Sequence, residues 1–179
     1  MNTLKKRTMS VLFGAALCQA ALASELSAAL PVPHHLSMVD GDPDGAQVLL
    51  AARRYAAFWH TGDARYAAAA LAPDFIDRTL PAGRSQGTAG PIEASHAFRA
   101  AVPDLTAEID DMVVAGDRAA VHLHFRGHFT GRFGEQVGTG QAVDFQAFDL
   151  YRVAEGRIAE NWHLEDNLTV LKQLGAIKP

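Results

Sequence analysis

The chain has 179 residues, 49% of them hydrophobic, and carries 16 Lys and Arg against 20 Asp and Glu, a formal net charge of −4. That length suits one ordinary domain with its own hydrophobic core rather than two. Because the charge is negative and basic residues are not clustered in the body of the chain, we expect neither nucleic acid nor an anionic membrane as a partner.

The first 23 residues have the three-part pattern of a secretory signal. A basic stretch at residues 5–7 precedes an apolar run over residues 9–22 that ends in small residues. A membrane anchor is the alternative, but the run is shorter than the ~20 residues that a spanning helix needs. We therefore predict cleavage after Ala23 and a periplasmic or secreted protein. Cleavage would also remove Cys18, the only cysteine, so a mature protein without disulfides is expected.

Residues 24–41 show no hydrophobic period and are rich in proline and small residues, so we predict a flexible leader. The folded domain is expected over residues 42–179. Helical spacing of apolar residues predicts a first helix between Asp42 and Gly62, and Asp63 is placed to cap a short alanine-rich second helix. A short extended piece, a loop and a third helix from Ile92 to Ala101 follow. The first half of the domain is thus mainly helical.

The second half changes to a period of two residues, which is typical of strands. Four strands are predicted, over residues 105–115, 118–129, 142–153 and 157–164. Asp166 is placed to cap a closing helix that ends before Gly175. Helices that precede an antiparallel meander predict an α+β fold, in which a curved sheet wraps around the N-terminal helices and encloses a cavity.

The last predicted hairpin places an ionisable side chain among apolar neighbours. If Glu155-Gly156 forms the turn, Asp149 pairs with Trp162 and shares a face with Tyr151. Burial raises the pKa of a carboxyl group unless a cation or a hydrogen-bond donor compensates. Such a group exchanges protons near neutral pH, so we predict that Asp149 is a catalytic acid and base. A purely structural pair with an arginine such as Arg78 remains the alternative.

Polar residues alternate along the strand that ends at His128. His122, His124 and Arg126 share a face with His128, and this face either lines the cavity or lies at a dimer interface. We expect His124, in mid-strand, to be the catalytic partner of a carboxylate. Three imidazoles on one face are also a conceivable metal chelate, but we predict no metal.

Several short motifs together resemble the SnoaL-like polyketide cyclase, or ester cyclase, family. They are FWHTGD (58–63), LAPDF (71–75), PDL (103–105), GHFTG (127–131) and GRI with a following Trp (156–162). The resemblance covers about residues 45–177 and implies the cone-shaped fold of nuclear transport factor 2 and the cystatins. It also implies a cofactor-free cyclase in which a sheet aspartate closes a ring by aldol chemistry. Many relatives read GTHTG at the fourth motif, so Phe129 stands where they have histidine.

The residues and the resemblance together predict an exported, cofactor-free enzyme acting on a small hydrophobic carbonyl compound. Aldol-type cyclisation, isomerisation and lyase chemistry all remain open. A non-catalytic module that binds a small hydrophobic ligand in the same fold is the alternative. The resemblance further implies a homodimer formed through the sheet.

Aromatic and cationic side chains near the expected cavity are candidates for contact with substrate. The predicted substrate-binding residues are Trp162, Phe58, Trp59, Arg78, Tyr151 and His128. Arg78 is expected at the cavity mouth, beside Asp77. In a regular strand His163 points away from Asp149 and is a bystander, although a bulge would reverse its direction.

Overall fold

The computed structural model describes residues 30–178, and the predicted signal segment lies outside the described residues. The helices are α1 (Gly45–Thr61), α2 (Ala64–Ala70), α3 (Ala89–Ala101) and α4 (Asn167–Gln173). The strands are β1 (His35–Met38), β2 (Leu71–Asp77), β3 (Thr106–Ala115), β4 (Arg118–Phe129), β5 (Arg132–Phe133), β6 (Gln136–Val137), β7 (Gln141–Ala154) and β8 (Arg157–Glu165). No helix in the described part of the chain is long and apolar enough to cross a membrane.

Six of the strands form one sheet in the order β1-β3-β4-β7-β8-β2. The four central strands are antiparallel neighbours, as predicted, and β1 and β2 add parallel edges. The helix α1 packs against the inner face of β3, β4, β7 and β8. The predicted α+β fold, with a curved sheet around the N-terminal helices, is confirmed. The glycine-rich connection after β4 additionally holds the small β5–β6 hairpin.

Part of the segment predicted as a flexible leader is ordered. Residues His35–Met38 form an edge strand in parallel register with Asp111–Val114. The side chain of Arg53 on α1 donates a 2.7 Å hydrogen bond to the carbonyl oxygen of Pro31. The backbone of this segment thus finds partners in the sheet and in α1, which a search for hydrophobic period does not detect.

The short helices start where their capping residues predict. Asp63 accepts a 2.9 Å hydrogen bond from the backbone N–H of Arg65, at the start of α2. Asp166 accepts a 3.0 Å hydrogen bond from the backbone N–H of Thr169, at the start of α4. Each cap satisfies an N–H group that has no partner inside its own helix.

A bulge in β8 decides which side chains face the helices. The turn is the predicted one, since Glu155 and Gly156 have φ values of 52° and 71° and Val153 pairs with Ile158. Arg152, however, pairs with Glu160, so one extra residue, Ala159, stands in β8 without a partner. An extra residue shifts the register by one and sends each following side chain to the opposite face.

The predicted pairing of Asp149 with Trp162 is therefore wrong. Asp149 pairs with His163, and Trp162 pairs with Leu150. Since paired residues share a face of the sheet, His163 comes to the inner face beside Asp149. The prediction that His163 is a bystander is wrong for the same reason.

Candidate active site

The helices and the inner face of the sheet enclose a cavity of about 210 Å³. Its wall is largely aromatic and aliphatic, and includes Trp59, Phe98, Leu123, Phe125 and Phe145. Polar groups enter the wall mainly from β2, β7 and β8. An apolar cavity of roughly 150 Å³ holds benzene in another protein, so this one has room for a somewhat larger ring compound.

Asp149 stands in this cavity on β7 and is only 7% exposed. Burial raises the pKa of its carboxyl group, while a hydrogen bond from Tyr151 and the charge of His163 lower it. The net result is a pKa raised to about 7. The Tyr151 hydroxyl donates to the Asp149 carboxylate at 2.5 Å. This carboxyl group therefore changes its protonation state near neutral pH, as the sequence pattern predicted.

His163, opposite Asp149, is held between two carboxylates. Its Nδ1 lies 2.7 Å from Glu165 Oε1, and its Nε2 lies 3.0 Å from Asp77 Oδ2. Burial alone lowers the pKa of the imidazole, but the hydrogen bonds and charges of Glu165 and Asp77 outweigh burial and raise it to about 9. At neutral pH His163 is consequently an imidazolium that donates through both nitrogens.

Asp77 is fixed in place by the end of β2 and the loop that follows. Its side chain accepts a 2.9 Å hydrogen bond from the backbone N–H of Thr79. The Gln86 side chain clamps the Asp77 backbone, because Gln86 Oε1 accepts from the Asp77 N–H at 2.7 Å and Nε2 donates to the Asp77 carbonyl at 3.0 Å. The same loop carries Arg84 into the cavity wall. Local hydrogen bonds thus position the carboxylate that holds His163.

Two tyrosines pack around Asp149. Tyr55 lines the cavity, whereas Tyr151, predicted to bind substrate, is fully buried and does not line it. Burial and the nearby charge of Asp149 raise the pKa of both Tyr55 and Tyr151 well above the usual value. Both phenols therefore stay protonated at neutral pH. Their rings meet edge to face with centroids 5.7 Å apart, which fixes the direction from which Tyr151 donates to the carboxylate.

The three aromatic residues predicted to form cavity walls lie in three different environments. Trp59 lines the cavity. Phe58 is fully buried in the core next to it, with ring centroids 5.1 Å apart. Trp162 lies on the outer face of the sheet, where the guanidinium of Arg118 sits 5.4 Å from its ring. The expectation that Trp162 forms a cavity wall is wrong, because the bulge in β8 turns it outward.

The predicted partnership of His124 with the cavity carboxylate is also wrong. Residues of β4 alternate, and Leu123 and Phe125 occupy the inner positions on either side of His124. His124 instead lies on the outer face, with its Nε2 2.6 Å from Asp144 and its Nδ1 3.3 Å from Asp110. It pairs with carboxylates as expected, but not with Asp149.

His128 and Arg78 also lie outside the cavity, contrary to expectation. His128 is exposed and bonds to Asp104 at 2.7 Å. Arg78 bonds to Glu160, which also accepts from Arg152 at 2.6 Å, rather than to its neighbour Asp77. Within residues 30–178, no group of three or more His, Cys, Asp or Glu side chains has the arrangement of a metal site.

Sequence reasoning missed the cluster that surrounds His163, although a signal was present. Asn161, His163 and Glu165 are polar at every second position of β8 and line the cavity together. An alternating polar set at the end of a strand points to a shared site as readily as to a solvated face. The predicted hairpin register, which had no bulge, put Trp162 on this face instead.

Comparison with known proteins gives this geometry a context. The sequence profile of a family described as SnoaL-like polyketide cyclase matches residues 49–174. A crystal structure from Bacillus cereus ATCC 10987, assigned as a polyketide cyclase, is 36% identical and covers 84% of this chain and 96% of its own, with a TM-score of 0.74. IdmH from Streptomyces antibioticus, also assigned as a polyketide cyclase, is 28% identical over 72% of this chain and 99% of its own, with a TM-score of 0.64.

A more distant structure shares the fold alone. It is an LEH-like epoxide hydrolase from M. tuberculosis, 16% identical over 75% of this chain and 93% of its own, with a TM-score of 0.55. A search among proteins with curated functions finds no match. The local geometry must therefore carry any statement about chemistry.

Proposed function

Because the chain belongs to the SnoaL-like polyketide cyclase family, we propose that it is a cofactor-free acid–base enzyme for a small hydrophobic carbonyl compound. Aldol-type cyclisation, isomerisation and lyase reactions all begin with the same proton removal. The observation that carries the proposal is Asp149, a carboxyl group in a largely apolar cavity with a pKa raised to about 7. A pKa near the working pH suits one group to act as base and then as acid.

In the proposed reaction, ionised Asp149 removes a proton from the carbon next to the substrate carbonyl. The C–H electron pair becomes the new carbon–carbon double bond, and the carbonyl π electrons move to oxygen, giving an enolate. In a cyclisation, the enolate carbon then attacks a second carbonyl of the same molecule and leaves an alkoxide. Protonated Asp149 returns the proton to that alkoxide, so the carboxylate is regenerated and no proton is lost.

His163 serves this chemistry by charge and position. Both of its ring nitrogens already face carboxylates, Glu165 and Asp77. Its positive charge lowers the pKa that burial raises in Asp149. An ionised fraction of Asp149 is therefore available at neutral pH, and His163 acts as a positioning residue rather than as the acid.

Proton exchange tests the proposal without knowledge of the natural substrate. The probe is 2-tetralone, a bicyclic ketone, incubated in deuterated water and followed by proton NMR. The wild type is expected to speed exchange of the protons next to the carbonyl, and Asp149→Asn to abolish this. Asp144→Asn, a matched change on the outer face of the same strand, is the control. Binding of 2-tetralone without exchange would favour the alternative, a non-catalytic binding module.

The outer face of the sheet supports a proposal about assembly. Large apolar side chains are exposed there, including Val113 at 51%, Phe148 at 57% and Leu164 at 74%. Apolar residues grouped on one exposed face mark an interaction surface. We propose that a second copy of the chain covers this face to form a homodimer.

Export is proposed on the sequence pattern of residues 1–23. Mass spectrometry of the protein recovered from the periplasm or medium of an expressing bacterium would be expected to show a mature N-terminus at Ser24. Recovery of the uncleaved chain in the cytoplasm would contradict it. The same proposal removes Cys18 from the working protein.

A further inference from the structure

An enolate needs a hydrogen-bond donor at its oxygen, and most donors near Asp149 are already engaged. The Tyr151 hydroxyl donates to Asp149 itself. The two ring nitrogens of His163 face Glu165 and Asp77. Removing a proton next to a carbonyl places negative charge on the carbonyl oxygen, and an unassisted charge in an apolar cavity is costly.

Asn161 is a polar residue of this wall with a buried side-chain atom that has no partner. It lies on β8, pairs with Tyr151 and is 3% exposed. Its Oδ1 is buried without a hydrogen-bond partner. A half-turn of the carboxamide exchanges this oxygen with the Nδ2 donor, so either atom can stand at the unpartnered position. A buried polar group without a partner destabilises the fold, so such a group calls for an explanation.

The strand geometry brings Asn161 to the same working space as Asp149. Asp149 pairs with His163, and Asn161 stands two residues before His163 on the same strand and face. Diagonal neighbours of this kind have Cα atoms roughly 7–8 Å apart. A ketone in the cavity can then present its α-carbon to one side chain and its oxygen to the other.

We propose that the Nδ2 amide of Asn161 donates to the substrate carbonyl oxygen and stabilises the enolate formed when Asp149 removes the α-proton. The inference rests on the proposed function for the reaction, but its binding chemistry can be tested alone. The ligand class it defines is a cyclic compound with a carbonyl, enol or phenol oxygen held near Asp149. As charge moves onto that oxygen, the amide bond to it strengthens, and no proton leaves Asn161.

Arg84 is a cationic donor in the wall, and it fits this role less well. It comes from the loop after β2, is half-buried, and its charge acts on Glu165 and Tyr55. Arg84 lies in a loop, whereas the position of Asn161 is fixed by its place within a strand of the sheet. Its replacement is nevertheless included as an arm of the test.

The test compares two ligands of similar shape, 2-naphthol as an enol analogue and naphthalene, by titration calorimetry or fluorescence. The wild type is expected to bind 2-naphthol about tenfold more tightly, as one hydrogen bond of about 1.4 kcal/mol provides. Asn161→Leu, which keeps the size but removes the donor, should abolish the preference and leave naphthalene affinity unchanged. Gln146→Leu, an amide-to-leucine change at an exposed position of β7, is the matched control.

Exchange of 2-tetralone gives the catalytic readout. Loss of one donor to a developing oxyanion slows reactions by roughly 100- to 1000-fold, so Asn161→Leu should lower kcat for exchange on that scale while KM changes little. Three results would overturn the proposal: no preference for 2-naphthol in the wild type, a preference that persists in Asn161→Leu, or a preference lost in Arg84→Leu instead. The naphthol preference does not require turnover, so an inactive enzyme that keeps it would refute the proposed function and not the role of Asn161.

Discussion

Asp149 and His163 face each other across β7 and β8, and the charge of His163 lowers the pKa of Asp149. The imidazolium lowers the pKa that burial raises in the carboxyl group. Glu165 and Asp77 in turn keep the imidazole protonated by raising its pKa to about 9. The pKa of Asp149 near neutrality is thus the balance between burial in an apolar cavity and the opposing effects of the Tyr151 hydrogen bond and the His163 charge.

Removing that cation should shift the pH dependence of proton exchange. In His163→Gln the positive charge is lost while the charges of Glu165 and Asp77 remain, so the pKa of Asp149 should rise further. Since the base form is the ionised one, the rising limb of the exchange rate against pH should move to higher pH. The measurement is the 2-tetralone exchange rate between pH 5 and 10.

Circular dichroism at each pH serves as the folding control for that experiment. A folded His163→Gln variant with an unchanged pH profile would show that His163 does not act on Asp149. A parallel shift in Gln146→Leu would show that the effect is not specific to the pair.

Asp149 should make the folded protein less stable as the pH rises. Its pKa is about 7 when folded against 3.8 as a free group, so the folded state holds the proton more tightly. Its contribution is therefore complete below pH 4 and is lost as the pH rises towards 7, by about 4 kcal/mol in total. The free energy of unfolding can be measured in urea at pH 4.5 and at pH 8. It should fall less between these two pH values in Asp149→Asn than in the wild type. Equal losses would contradict burial of an ionisable carboxyl group.

His163 should cause a second loss of stability at higher pH. Its pKa is about 9 when folded against 6.5 as a free group, so its stabilising charge is complete below pH 6.5 and disappears as the pH passes 9. The contribution is on the order of 3 kcal/mol. The melting temperature should fall more steeply between pH 6 and pH 10 for the wild type than for His163→Gln. Parallel curves would mean that His163 is not held as an imidazolium.

The outer sheet face should control the oligomeric state. Phe148→Glu places a charge in the middle of the exposed apolar face and should convert the proposed dimer into a monomer in sedimentation velocity. Val137→Glu introduces the same charge at an exposed position on β6, 57% exposed, and should leave the dimer intact. A wild type that sediments as a monomer at micromolar concentration would refute the assembly.

The sequence determined the elements far better than it determined the site. Period, caps and turn residues located the helices and the four central strands, because these signals are local. The bulge at Ala159 carries no local signal, and it moved His163 inward and Trp162 outward. The sequence also did not decide which face of β4 is buried. His124 and Leu123 lie on opposite faces, and only the position of the helices determines which of the two faces inward.

Contacts between distant parts of the chain could not be predicted from the sequence. Asp77 reaches His163 because β2 joins the sheet beside β8, in parallel register with it. Neither the parallel pairing nor the Gln86 clamp follows from spacing along the chain. Asp149 was correctly predicted to be a buried carboxyl group of the cavity, because the residues that alternate with it on the inner face of its own strand are apolar.

The proton affinity of Asp149 decides most directly whether this carboxyl group can be the acid and base of the cavity. Carbon-13 NMR of the carboxyl carbons of labelled protein, titrated from pH 3 to 9 and assigned by comparison with Asp149→Asn, measures it without any ligand. The expected result is one aspartate resonance that titrates near pH 7 and is missing from the variant. An Asp149 resonance that titrates near pH 4, like an exposed carboxyl group, would contradict its role as the acid and base of this cavity.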